Sequence, residues 1–119
     1  MSGSEAGAGP VHVWYHVRDL EAARAFYTQK LGFVETFVDE NERWAKLERG
    51  DMQIALAQGE PQEGGVAAVD VEDVRAEAER LRGVHVEVGV VFELHNQVRL
   101  VDVFDPDGNR LQLVEQVSK

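Results

Sequence analysis

The segment Val17-Arg18-Asp19-Leu20 has a counterpart 54 residues later in Val71-Glu72-Asp73-Val74. Superposed at that offset, a strand, a helix opened by an aspartate and three further strand-like runs follow twice in the same order. Few residues are identical between the copies, so the repeat lies in the order of elements. Each copy has about 50 residues, too few to bury its own sheet, and the two must share a core. The chain of 119 residues is therefore expected to hold one domain over 11–117, made of modules 11–58 and 65–117. Met1 to Gly9 is small and polar, without a basic n-region or an apolar h-region. A disordered tail over 1–10 is expected there rather than a signal peptide.

The elements follow from periodicity and punctuation. Val11–Val17 reads Val-His-Val-Trp-Tyr-His-Val, β-branched and aromatic, which predicts a strand. Asp19 is placed to cap a helix carrying Leu20, Ala23, Tyr27 and Leu31, closed by Gly32. Strands are expected at Phe33–Val38, Arg43–Arg49 and Met52–Gln58, then a linker over Gly59–Gly65. The second round predicts a strand at Val66–Val71 and a helix capped by Asp73, carrying Val74, Ala78 and Leu81 and ended by Gly83. Further strands follow at Val84–Val91, Val98–Phe104 and Arg110–Val117, with His85 facing outward from the first of these.

Alternation assigns faces. Val13, Tyr15 and Val17 suit the helix side, which turns His12, Trp14 and His16 to the opposite face. In the fourth strand Ile54 and Leu56 face the core, opposite Gln53, Ala55 and Ala57. In the last strand Leu111 and Leu113 are core, leaving Arg110, Gln112 and Val114 on the other side. Either Asp102 and Phe104 or Val101 and Val103 oppose Gln112, a register that alternation alone does not fix.

Charge narrows the partners. With 12 Lys and Arg against 22 Asp and Glu, the net charge is -10. Split after Glu60, the parts carry -4 and -6, so neither is a basic module. Nucleic acid and anionic membrane surfaces are not expected partners. The absence of cysteine removes disulfides, thiolate metal sites and cysteine nucleophiles, and points to a reducing cytoplasm.

Asp105-Pro106-Asp107-Gly108 fits a type I turn. Followed by Asn109-Arg110-Leu111-Gln112-Leu113, it resembles the C-terminal hairpin of the glyoxalase/bleomycin-resistance/dioxygenase proteins, the vicinal oxygen chelate superfamily. The opening His12-Val13-Trp14-Tyr15-His16-Val17-Arg18-Asp19-Leu20, with Phe26-Tyr27 and Leu31-Gly32-Phe33, resembles that family's first strand and helix. The resemblance implies an α+β fold of two paired βαβββ modules forming an open, U-shaped mixed sheet, commonly completed as a homodimer. Metal-dependent members hold a divalent ion in the cleft, and their ligand positions carry over to His12, Ala55, Val66 and Gln112. Only His12 and Gln112 retain donor atoms, and catalytic sites usually keep three protein ligands. No cofactor is therefore expected, a divalent ion at His12 and Gln112 being what the resemblance leaves open.

Other residues do not rebuild that site. His12 and His16 lie about 13 Å apart along a strand, beyond the reach of one ion. Glu93 and His95 read as a solvated loop edge. The simplest structural role for His12 is a hydrogen bond to Gln112, that of Trp14 is to fill space between sheets, and that of Arg110 is to pair with an acid on a rim. The expected ligand-binding residues are His12, Trp14, His16, Arg110 and Gln112. The first reading is a metal-free, bleomycin-resistance-like protein binding a small planar or cationic ligand. A second is a lyase, isomerase or dioxygenase using His12 as base or metal ligand, with His16 a weaker candidate base. A third is a structural partner domain. Whether the chain is an enzyme stays open on sequence alone.

Overall fold

Strict alternation builds the first strand: Val13, Tyr15 and Val17 are buried while Trp14 is exposed. The computed structural model describes residues 11–62, 65–94 and 97–117, so the expected tail falls outside the described residues. The first module comprises β1 (Val13–Val17), α1 (Leu20–Ala25), β2 (Val34–Asp39), β3 (Trp44–Arg49) and β4 (Met52–Gln58). The second comprises β5 (Ala67–Asp70), α2 (Val74–Gly83), β6 (Glu87–Val88), β7 (Phe92–Leu94), β8 (Val98–Phe104) and β9 (Arg110–Gln116). Among the described residues, no helix is long and apolar enough to cross a membrane.

The first sheet has the order β1-β4-β3-β2, the second β5-β9-β8-β6 with β7 also paired to β8. In each, the opening strand runs parallel to the closing one, Val13 opposite Ile54 and Ala67 opposite Leu111. The repeat in sequence is thus a repeat of sheet register, and the fold is α+β with two mixed sheets.

Both helices start where aspartate satisfies a free backbone donor. Asp19 Oδ1 accepts from Ala22 N–H at 3.1 Å and Asp73 Oδ1 from Ala76 N–H at 3.0 Å. After Ala25 the first helix widens into a π-helical turn, Phe26–Lys30, in which Leu31 N–H reaches Phe26 O at 3.3 Å. The wider turn accompanies burial of two adjacent aromatics, Phe26 and Tyr27. Gly32 then takes the left-handed conformation, φ 75°, expected of a closing glycine.

The second helix ends differently from the expectation. Val86 N–H donates to Leu81 O and His85 N–H to Arg82 O, the paired bonds of a Schellman motif. Gly83 is still helical, and His85 takes the left-handed position at φ 67°. That turn breaks the strand expected over Val84–Val91 and makes His85 an exposed turn residue. Pairing survives only as β6, continues through Gly89 N–H to Asp102 O at 2.8 Å, and resumes at β7.

One core serves both modules, and buried polar groups fasten its seam. The Tyr15 hydroxyl donates to Arg110 O and accepts from Ala67 N–H at 2.9 Å. The Tyr27 hydroxyl donates to Asp105 Oδ2 at 2.7 Å. Asp105 Oδ1 accepts the Asp107 and Asn109 amides, closing the turn in which Gly108 stands at φ 87°. Asn109 Nδ2 donates both to Asp105 Oδ2 and to His16 O, tying the last hairpin to β1. Burial pushes the Tyr15 hydroxyl up to about 12. Burial, then the neighbouring Asp105 charge, raises Tyr27 well above the usual tyrosine value.

Candidate functional site

Residues in register on neighbouring strands share a face. On the first sheet, away from α1, one cross-strand row reads Trp14, Ala55, Lys46, Phe37. The next reads His16, Ala57, Trp44, Asp39. Phe37 joins this face because the pairing of β2 with β3 shifts between Glu35 and Phe37, which resets the alternation so that Val34 also points here. Trp44 stands between the other two aromatics, with ring centroids 5.4 Å from Trp14 and 5.1 Å from Phe37. Ala55 is fully buried, while Trp14 and Phe37 remain 49% and 46% exposed. The result is an arc of three aromatic rings on a sheet face where Ala55 and Ala57 leave room beside them.

Lys46 lies in this arc, half-buried. Among the described residues no carboxylate comes within ion-pair distance of it. Glu48, on the same face one row away, instead takes Gln53 Nε2 at 2.7 Å.

His12 does not meet Gln112 through a hydrogen bond. Its Nδ1 accepts from Gln53 N–H at 3.0 Å, and its own N–H donates to Gln53 O at 2.8 Å. A neutral imidazole accepting at Nδ1 carries its proton on Nε2. Gln112 Nε2 turns to Asp102 Oδ1 at 3.2 Å, and Arg110 Nη1 to Asp102 Oδ2 at 3.1 Å. The register left open by the sequence is Asp102 opposite Gln112 and Phe104 opposite Arg110. Arg110 has thus found an acid, and the structure joins Arg110 with Gln112 and Trp14 with Trp44. His95 lies outside the described residues, while Glu93 accepts from Arg99 at 3.1 Å.

A cavity of about 570 Å³ opens near the seam, lined by Tyr15, Val66, Phe104, Asn109 and Arg110 among others. Of the expected ligand-binding residues only Arg110 lines it.

A divalent ion does not fit the four carried-over positions. Ala55 and Val66 offer no donor, His12 has Nδ1 occupied, and Gln112 is a neutral amide engaged with Asp102. Near His12 the buried oxygen without a partner is Gln53 Oε1, also a neutral amide. Among the described residues no group of three or more His, Cys, Asp or Glu could hold a metal ion.

The sequence pointed to Trp14 but not to Phe37 or Lys46. Phe37 is hidden by the register shift. Lys46 is legible only once Trp14 and Phe37 are known to share its row.

The chain belongs to the Glyoxalase/Bleomycin resistance protein/Dioxygenase superfamily, whose model matches residues 9–113. Among solved structures it is similar to a member of that superfamily from Sphaerobacter thermophilus DSM 20745. The two share 26% identity at a TM-score of 0.75, over 91% of this chain and 98% of that one. It is similar to a glyoxalase/bleomycin resistance protein from Streptomyces sp. CB03234, at 25% identity and TM-score 0.70, over 84% and 94% of the two chains. A bleomycin-binding protein from Streptomyces verticillus, solved with copper(II)-bleomycin, shares the fold at 24% identity and TM-score 0.69, over 93% and 96%. No curated protein sequence matches the chain.

Proposed function

We propose that the chain is a binding member of its superfamily that holds a small planar molecule on the aromatic arc of the first sheet. The observation that carries this reading is the cluster of Trp14 and Phe37, both exposed, with partly buried Trp44 between them, beside Ala55 and Ala57. Burying three apolar rings in the core would stabilise the fold; leaving them half open on one face suits a stacked guest. In the seam cavity the charged groups and Asn109 already have protein partners. Arg110 is paired with Asp102, Asp107 with Arg18 at 3.0 Å, and Asn109 with Asp105. That a structural neighbour is a bleomycin-binding protein is consistent with small-molecule binding on this fold.

The enzyme reading asks His12 to accept a proton or bind an ion through Nε2. That atom gains a lone pair only if the bond from Gln53 N–H to Nδ1 is given up. A homodimer, which the resemblance implies, would have exposed apolar side chains to cover at Val90, Phe92 and Leu94, in and just before β7. Sedimentation equilibrium should then report twice the chain's 13.3 kDa.

Quenching of intrinsic fluorescence by a panel of planar compounds tests the binding reading, because both tryptophans of the chain lie in the arc. Saturable quenching, weakened about tenfold in Trp14→Ala, is expected, equivalent to roughly 1.4 kcal/mol. Quenching unaffected by Trp14→Ala would refute it.

A further inference from the structure

We propose that Lys46 makes the aromatic arc select planar molecules bearing a carboxylate, so that the ligand class is an aromatic acid. The inference rests on the reading of the arc as a ligand face and adds the charge of the guest. Lys46 occupies the same cross-strand row as Trp14, Ala55 and Phe37, and lies two residues along β3 from Trp44. It is the only lysine or arginine among the described residues of that face, and none of the ion pairs in the described structure includes it.

The acids nearest along the face have other partners. Glu48 accepts from Gln53 Nε2, and Asp39 Oδ1 accepts the Asn41 and Glu42 amides of its turn. A ring lying against Trp14 or Phe37 would bring a carboxylate substituent to an ammonium that lacks a carboxylate partner. Lys46 as a residue is only partly exposed. An ammonium beside aromatic rings that gains a charge-assisted bond from a guest's carboxylate makes a stronger arrangement than one without an anion.

The net charge of -10 favours cationic guests at long range, which is the opposite selection. Exposed charges are screened beyond about 8 Å in physiological salt, however, whereas a carboxylate bonded to Lys46 would lie about 3 Å away. Local charge therefore decides between guests of equal shape, and the acidic exterior acts mainly on their rate of approach.

Titration calorimetry with naphthoate, naphthamide and naphthylmethylammonium holds the ring constant and varies the charge. The wild-type protein should bind naphthoate about tenfold more tightly than the other two, a preference lost in Lys46→Met and kept in Lys46→Arg. Equal binding of the three, or best binding of the ammonium compound, overturns the role of Lys46 while leaving the stacking reading intact. A preference for naphthoate that persists in Lys46→Met overturns it as well. Failure of all three to bind the wild type overturns both. Thermal melts of each variant confirm that the fold is retained, and Lys46→Gln, which also removes the charge, takes the place of Lys46→Met should that variant unfold.

Discussion

Replacing Tyr27 with phenylalanine removes a single oxygen from the seam between the modules, and its cost can be worked from the surroundings. The ring keeps its neighbours, with Phe26, Phe33 and Tyr15 at centroid distances of 5.5, 5.7 and 6.2 Å. Asp105 Oδ2 keeps Asn109 Nδ2 at 2.9 Å but loses the hydroxyl at 2.7 Å, in a site where Asp105 is only 4% exposed. A buried hydrogen bond to a charged acceptor contributes about 1.5–3 kcal/mol, so a loss near 2 kcal/mol is expected. Urea unfolding followed by far-ultraviolet circular dichroism should show a midpoint lowered by about 1 M at unchanged slope, for a slope near 2 kcal/mol/M. In an Asp105→Ala background the same substitution should cost almost nothing, since its partner is gone. A midpoint within about 0.25 M of wild type, or an undiminished loss beside Asp105→Ala, would refute the seam as described.

The fold should also weaken in alkali, because Tyr15 and Tyr27 are both held protonated in the native state. The unfolded chain releases these protons near pH 10, while folded Tyr15 retains its own to about 12. The stability they confer is complete below pH 10 and falls as pH rises past it, the share of Tyr15, at most about 2.7 kcal/mol, being lost towards pH 12. A urea midpoint flat across that range would contradict this. His85→Gly should raise stability by about 1 kcal/mol, because His85 holds a left-handed conformation at φ 67° that glycine adopts without strain. A fall in its melting temperature would show that the imidazole contributes something beyond the turn.

Much of the fold was legible because each module repeats a few strong local signals. The alternation of Val13, Tyr15 and Val17 set the core face of β1, β4 spans Met52–Gln58 as expected, and Asp19 and Asp73 cap their helices. Departures from the expectation occur where one residue changes the phase of the chain. His85 in a left-handed turn splits one expected strand into β6 and β7, and the shift at Glu35/Phe37 moves an aromatic ring to the other face. Neither follows from hydrophobic pattern, because both depend on what the neighbouring strand offers.

The candidate site divides in the same way. Trp14 could be placed from its own strand, whereas its association with Trp44, Phe37 and Lys46 needs cross-strand register. The seam was hidden for another reason. Asp105 and Asn109 read as ordinary turn residues, and only contact with Tyr27 and His16, distant in sequence, makes them structural.

The proposed guest lies on the aromatic arc, where both indoles would sense it. The chain has two tryptophans, so its amide correlation spectrum carries two indole N–H signals, and Trp14→Phe assigns both. Titration of naphthoate into isotopically labelled protein should move the Trp14 and Trp44 indole signals together, along one saturation curve. Shifts confined to Phe104, Asn109 and Arg110 around the seam cavity, with both indole signals stationary, would place the guest there and rule out the arc.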